Sequence, residues 1–413
     1  MTARPTARPT VRLAAGTAEA LRPSRPGRRI RVLHITQDPG SLHLLAGQPG
    51  YLRRRGVDYA VVCPPSLALD RFAEAELVPA YPVPMRPGFD PVRDSAAVVR
   101  LARIMRRLRP HLVHGHTPKG GLLAVAAGRA FRVPTVFHLH DLYSATAQGA
   151  APVLHAAAER VSMHLADQVL VTSPSLLRLA RSQGLCPANK GQVPAYGSSN
   201  GVDALERFNP DRHAATVAEL RHRLGIPAGA PVVGFAGNAD ADTGELADLW
   251  AALRSRVPGV HLVTVTRRAA GGSWDGDTTS LVPDPRVHLV GGVDEPAPYY
   301  GLMDVLTLPD AATGIPDVVI EASAMRVPVV AARTPWIAEA VEHGSTGVLV
   351  ARRDRSACVE ALVAYLSDQA RAREHGNGGR QRVLRRYGPT DVWESFAALY
   401  EDLTSPPVSR RQA

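Results

Sequence analysis

The stretch Asp304–Val350, DVLTLPDAATGIPDVVIEASAMRVPVVAARTPWIAEAVEHGSTGVLV, leaves little choice of local architecture. Its first apolar run, Val305 to Leu308, breaks at Pro309 and passes into a polar loop holding Gly314 and Pro316. Helical spacing then governs Val318 to Met325. The next apolar run, Val327 to Ala332, is too short for a free-standing helix and rich in β-branched residues. Strand, loop, helix and strand in that order make a βαβ unit, which requires a parallel sheet. The loop after its first strand lies at the carboxyl edge of that sheet, where helix N-termini offer unpaired N–H groups to an anionic ligand. Thr313, Gly314 and Ile315 stand at that edge.

At 413 residues the chain exceeds one ordinary core, so two domains are expected. A hydrophobic content of 45% with 21% charged residues describes a globular protein. The formal charge is +10, yet Lys119 and Lys190 are the only lysines among 48 basic residues, a bias that points to a GC-rich genome sooner than to a nucleic-acid surface. Residues 1–31 carry eight arginines against Glu19, a local +7 (8 − 1), so the remaining body is close to neutral and no nucleic-acid partner is expected. The tail 1–29 is Arg-rich like a transit peptide, but prolines at 5, 9, 23 and 26 break any amphipathic helix, and it reads as a disordered extension. Cys63, Cys186 and Cys358 are far apart and outside any metal-ligand spacing, as ordinary thiols of a reducing cytosol would be. No apolar run approaches the ~20 residues of a bilayer span, so a membrane contact would be peripheral.

Taken in order, Ile30 to Thr36 alternates as a strand, and SLHLLAGQPGYLRRRG after the Pro-Gly turn has helical spacing. Tyr59 to Cys63 reads as a strand, Leu69 to Glu76 as a short helix and Val98 to Leu108 as an amphipathic helix with arginines at 100, 103, 106, 107 and 109. Those arginines make a solvated face, or one that rests on anionic lipid. A strand through His114, a turn, and a helix opened by Gly120-Gly121 follow, with Lys119 adding charge to the helix N-terminus. Thr135 to His140 is another strand. It ends in His138-x-His140-Asp141, with both imidazoles on one face, which brings metal binding to mind. A third ligand at fixed spacing is missing, and a satisfied core histidine is the plainer alternative. Glu159 to Ala166 reads as helix and Val169 to Ser173 as strand, while the Gly/Ser/Asn cluster in GSSNGVDALERFNP (197–210) reads as a hinge. The second half opens with a helix from Asp211 to Leu224, then a strand from Pro231 to Ala236 ending at Gly237. Asp240-x-Asp242 behind it would suit Mg²⁺, or simply be solvated. The strands continue with Val287 to Val293 and GVLV at 347–350, and helices from Val359 to Leu366 and Val392 to Leu403 close the chain.

These motifs together resemble the retaining GT-B glycosyltransferases of family 4. Their donor-sugar signature, E-G-F-P-N-x-x-x-E, is similar to T-G-I-P-D-V-V-I-E here, with Glu321 at the second glutamate and Thr313 in place of the first. H-T-P-K-G-G (116–121) resembles the acceptor-side loop, and the run from Gly197 the domain-closing segment. The resemblance implies an α/β GT-B fold: two Rossmann-like domains facing a central cleft, with the last helix crossing back to the first. It implies boundaries of 30–210 for the acceptor-side domain, 211–385 for the donor domain and 386–413 for the crossover helix and tail. As implied roles, His140 contacts the donor sugar near its reacting carbon, and Glu321 takes the ribose hydroxyls. Gly40, Ser41, Gly237, Asn238, Thr313, Gly314, Ile315 and Pro316 bind the donor, and His116 and Lys119 face the acceptor; Arg267, Arg268 and Arg333, which follow apolar strands at the carboxyl edge, are candidates to hold the donor diphosphate in place of missing cations. No resident cofactor or metal is implied: the nucleotide sugar is a co-substrate, and Mg²⁺ is not expected.

The chain departs from the pattern at one pocket. Family members carry G-R-x-x-x-D-K-G, with the two cations on the donor diphosphate; G-N-A-D-A-D-T-G here puts Asn238 and Thr243 in their places. Trp336 stands where glycine is common and would narrow the pocket. Two readings follow. One is a hexosyltransferase moving sugar to a polysaccharide-precursor, lipid-linked or natural-product acceptor, cytoplasmic, with any membrane contact peripheral and at the inner face. The other is a catalytically silent homologue that serves a protein partner as scaffold.

Overall fold

The computed structural model describes residues 29–86, 91–146, 151–236, 239–266, 284–309 and 317–405. Residues 1–28 of the Arg-rich tail and their expected disorder lie outside them, whereas Arg29 is described and donates to Asp58 Oδ1 at 2.8 Å. Within them the apolar runs form twelve strands in two six-stranded sheets, every pair parallel. The runs are continuous rather than alternating because helices cover both faces of such sheets.

The first sheet contains β1 (Ile30–Ile35), β2 (Val57–Cys63), β3 (Ala80–Pro82), β4 (Leu112–His116), β5 (Thr135–Leu139) and β6 (Gln168–Val171), in the order β3-β2-β1-β4-β5-β6. The second contains β7 (Val232–Ala236), β8 (His261–Val265), β9 (Val287–Val290), β10 (Val305–Leu308), β11 (Val329–Ala332) and β12 (Gly347–Val350), ordered β12-β11-β10-β7-β8-β9. Each is a doubly wound sheet whose order reverses beside its first strand. Loops leaving the two strands at that reversal diverge and open a crevice at the carboxyl edge. In the first sheet those strands are β1 and β4, and in the second β7 and β10.

The chain divides into two units. One takes the chain to Val171, Leu179–Gln192 and everything from Trp393 on; the other takes Thr172–Arg178 and Val193–Val392. The expected division after residue 210 is displaced toward the N-terminus because the Gly-rich segment is tied to the second unit. Val202 N donates to Tyr387 O at 2.8 Å, and the Arg380 guanidinium donates to Ala204 O at 2.8 Å and Phe208 O at 3.0 Å. The last helix, Pro389–Thr404, leaves the second unit at Val392 and completes the first with Phe396 and Tyr400, both fully buried. Tyr51 Oη donates to Glu394 at 2.6 Å on the same helix.

Local expectations differ at three places. The single helix read after β1 is two pieces, a 3-10 segment Pro39–Leu45 and a helix Gln48–Arg54. Gly47 between them has φ +82°, and a Cβ there would lie 2.8 Å from the Trp393 ring. Strand β4 runs two residues past His114, to His116. The helix Gln369–Arg386 escapes a reading by pattern because Gly376, Gly378 and Gly379 interrupt it. Packing requires at least the first of these, since a Cβ on Gly376 would sit 2.0 Å from Arg326 O.

Candidate functional site

Alternation along β4 and β5 and the parallel register between them bring five histidines together in the first unit. His34 pairs in register with His114, and His116 with His138; His140 follows β5 by one residue on the face of His138. The rings follow one another closely: His34 and His116 centroids are 5.3 Å apart, His114 and His116 4.3 Å and His116 and His140 5.3 Å, all stacked, and His138 and His140 are 4.2 Å apart and tilted by 31°. Tyr59 stacks on His34 at 3.9 Å, and Phe396 meets His114 and His138 edge-on. All are buried except His140, which is half-buried.

Hydrogen bonds thread this column. His34 Nδ1 and His116 Nε2 are 3.0 Å apart, His116 Nδ1 and His140 Nε2 3.0 Å, and Tyr400 Oη lies 2.7 Å from His114 Nδ1. A neutral imidazole has one N–H and one lone pair, so His116 accepts from one neighbour and donates to the other. Burial pushes the His34 and His140 imidazoles down to about 3. His114, His116 and His138 are also held well below the usual range, by burial first and then by repulsion from neighbouring imidazoles. The column is neutral at physiological pH.

Around it, the residues expected to meet ligands are largely engaged within the protein. Gly40 N donates to Asp38 Oδ1 at 2.9 Å, and Ser41 Oγ lies 2.7 Å from both Thr36 Oγ1 and Asp38 O. Lys119 opens the helix Pro118–Phe131, but its ammonium is buried against Asp94 Oδ1 at 2.8 Å and Arg86 O at 3.0 Å. Its charge is therefore balanced by Asp94. The Asp141 carboxylate accepts from Leu142 N at 2.7 Å, and burial pushes it up to about 7. Sequence reading missed Glu159, wholly buried, which accepts from Tyr143 N at 2.8 Å and Ser144 Oγ at 2.6 Å and braces the segment after β5.

In the second unit, Glu321 lies on the helix Asp317–Ala324, which begins beyond the carboxyl end of β10. It is buried, and Tyr300 Oη donates to its Oε2 at 3.0 Å. Arg333 follows β11; its guanidinium donates to Leu349 O at 3.3 Å and its backbone N–H to Val350 O. Trp336 precedes the short helix Ile337–Ala340, half-buried against the unit's core, its Nε1 without a hydrogen-bond partner among the described residues. Gly237, Asn238, Arg267, Thr313, Gly314, Ile315 and Pro316 lie outside the described residues, as do the side chains of Asp240, Asp242 and Thr243.

Spacing within β5 offers no third ligand beside His138 and His140, but the neighbouring strand brings one close: ligand atoms of His116, His138 and His140 lie within 4.8 Å of one another. A second triplet, His34, His114 and His116, meets the same measure. The available signal was the H-x-H in both HLVHGH and VFHLH, which becomes a cluster only when the two strands are neighbours in register.

Residues 45–197 match the family described as glycosyl transferase 4-like domain, and residues 230–368 that described as glycosyl transferases group 1. The chain is 26% identical to the capsular polysaccharide biosynthesis glycosyltransferase CapM of Staphylococcus aureus over 90% of this chain and 96% of that protein. It is 29% identical to the D-inositol 3-phosphate glycosyltransferase of Saccharomonospora viridis over 91% and 94%. The crystal structure of Anabaena Alr3699/HepE in complex with UDP-glucose matches with a TM-score of 0.73 at 20% identity, covering 91% of this chain and all of that one.

Proposed function

The chain belongs to the family 4-like glycosyltransferases of GT-B fold, and from that premise we propose that it moves a sugar, with retention of configuration, from a nucleotide-sugar donor to a polysaccharide-precursor, lipid-linked or natural-product acceptor. The donor is held by the second unit and the acceptor by the first. The observation that carries this reading is Glu321, a carboxylate one turn into the helix that follows β10 and hydrogen-bonded inside the unit by Tyr300 Oη. A buried acid is costly unless it is hydrogen-bonded, and its place in T-G-I-P-D-V-V-I-E is that of the glutamate that takes ribose hydroxyls. HepE holds UDP-glucose and CapM serves capsular polysaccharide synthesis, which supports a nucleoside-diphosphate donor and a cell-surface acceptor. In this reading the backbone N–H groups of Gly314 and Ile315 serve the leaving diphosphate, as the resemblance implies, and His140 meets the sugar. On the helix Pro91–Leu108, Arg100, Arg103, Arg106 and Arg107 run beside exposed Val98 and Val99, a combination suited to the inner face of a membrane carrying a lipid-linked acceptor. No helix among the described residues is long and apolar enough to cross a membrane.

The silent-homologue reading is favoured by Asn238 and Thr243 in place of cations and by Arg333, whose guanidinium is turned to Leu349 O. Calorimetry of the full chain with UDP-, GDP- and dTDP-sugars, with and without Mg²⁺, separates the two. Micromolar binding of one donor, weakened roughly ten- to hundredfold in Glu321→Gln as expected for a lost charge-assisted hydrogen bond, supports transfer. Absence of binding by every donor supports the silent reading.

A further inference from the structure

We propose that His116, His138 and His140 form a site for one divalent transition-metal ion of the zinc class, bound through three imidazole nitrogens at the end of β4 and β5. Two of the ligands come from adjacent strands in register, so their separation is set by the sheet: His116 pairs with His138, and His140 follows one residue beyond β5. Their ligand atoms already lie within 4.8 Å of one another. His116 Nδ1 and His140 Nε2 are 3.0 Å apart, against roughly 3.4 Å for two nitrogens on a tetrahedral ion with bonds of about 2.0–2.1 Å. An ion in place of the shared proton needs these two nitrogens to part and their rings to turn until the lone pairs converge on it.

Two further observations point to a ligand. His138 is buried, and its Nε2 has no hydrogen-bond partner among the described residues; a buried polar atom in that state calls for an occupant. The outer support is also in place. If His116 binds through Nδ1, its proton resides on Nε2, and that nitrogen is 3.0 Å from His34 Nδ1, the orienting hydrogen bond that metal-bound histidines ordinarily make. His34 is held in turn by its stack on Tyr59.

The competing triplet, His34, His114 and His116, is buried throughout, whereas His140 is half-buried and opens a way in for the ion. His116 belongs to both triplets, so the two cannot be filled through the same nitrogen. Three imidazoles without a carboxylate select Zn²⁺, Co²⁺, Ni²⁺ or Cu²⁺ and leave Mg²⁺ and Ca²⁺, which seek oxygen, unbound.

The test uses the full chain without an affinity tag, stripped with chelator and dialysed, and needs no sugar donor. Titration with Zn²⁺ followed by calorimetry, and with Co²⁺ followed by visible absorption, is expected to show one equivalent bound with the intense d–d bands of a four-coordinate site. Mg²⁺ should give no heat. His140→Ala, the least buried ligand, and His138→Phe should each lower Zn²⁺ affinity more than tenfold while retaining the wild-type circular dichroism. His261→Ala, in the separate His261–His288 pair of the second unit, should bind as wild type does. Should His138→Phe fail to fold, His140→Ala decides alone. The proposal is overturned by substoichiometric zinc, by unchanged affinity in His140→Ala, by equal loss in His261→Ala, or by the near-ultraviolet charge-transfer band of a cobalt thiolate.

Discussion

Replacing His34 by phenylalanine should flatten the acid limb of the protein's stability. The imidazole has no exposed surface, and burial pushes it from 6.5 down to about 3. Its ring neighbours are Tyr59, His114, His116 and Tyr400, none charged at neutral pH. The unfolded chain takes up a proton as pH falls below 6.5 and the folded chain does not. The stabilisation is thus complete above about 6.5 and is lost progressively as pH falls toward about 3. At about 1.4 kcal/mol per pH unit per proton, His34 alone removes ~2 kcal/mol between pH 7.5 and 5.0. His114, His116 and His138 act with the same sign; half-buried His140 contributes less because solvent screens it. Phenylalanine keeps the stack on Tyr59 and gives up the bond to His116, so the variant should begin about 1 kcal/mol less stable at pH 7.5. Urea denaturation in EDTA at pH 7.5, 6.0 and 5.0, with hydrogen exchange of β1 and β4 peptides to isolate the first unit, reads the difference. The variant should lose ~2 kcal/mol less than wild type on going to pH 5.0. Equal losses in the two proteins would refute the reasoning.

Two other outcomes follow from packing and charge. Phe396→Ala empties a fully buried position edge-on to His114 and His138 and should cost about 3–5 kcal/mol, read as a lower urea midpoint together with faster exchange at β4 and β5. Asp284 is held well below the usual carboxylate range by hydrogen bonds from Arg286 first and Arg254 after, so its contribution is present at neutral pH and lost on acidification; Asp284→Asn should cost about 1.5–3 kcal/mol in a thermal or urea melt at pH 7 and progressively less as pH falls below the usual carboxylate range.

Strand identity was legible wherever a β-branched run was bounded by Gly or Pro. Ile30 to Ile35, Val305 to Leu308 and Gly347 to Val350 stand where the pattern puts them. The helix Gln369–Arg386 was not, because glycine lowers helix propensity in any pattern while the close approach of Arg326 O demands it at 376. The site was legible in part. His116, His140 and Glu321 were found by motif, and Glu321 is inside its unit on the expected helix. That Lys119 is neutralised by Asp94, and Ser41 satisfied by Thr36 and Asp38, depends on partners whose distance in sequence carries no local signal.

From its own order of residues this protein carries two parallel-sheet units and the family to which it belongs, because hydrophobic period and turn chemistry are local properties. The histidine column belongs to the tertiary structure. Two H-x-H pairs and His34 are ordinary core residues until β1, β4 and β5 are set side by side in one register, and only then do five imidazoles gather, with His34, His116 and His140 joined by hydrogen bonds.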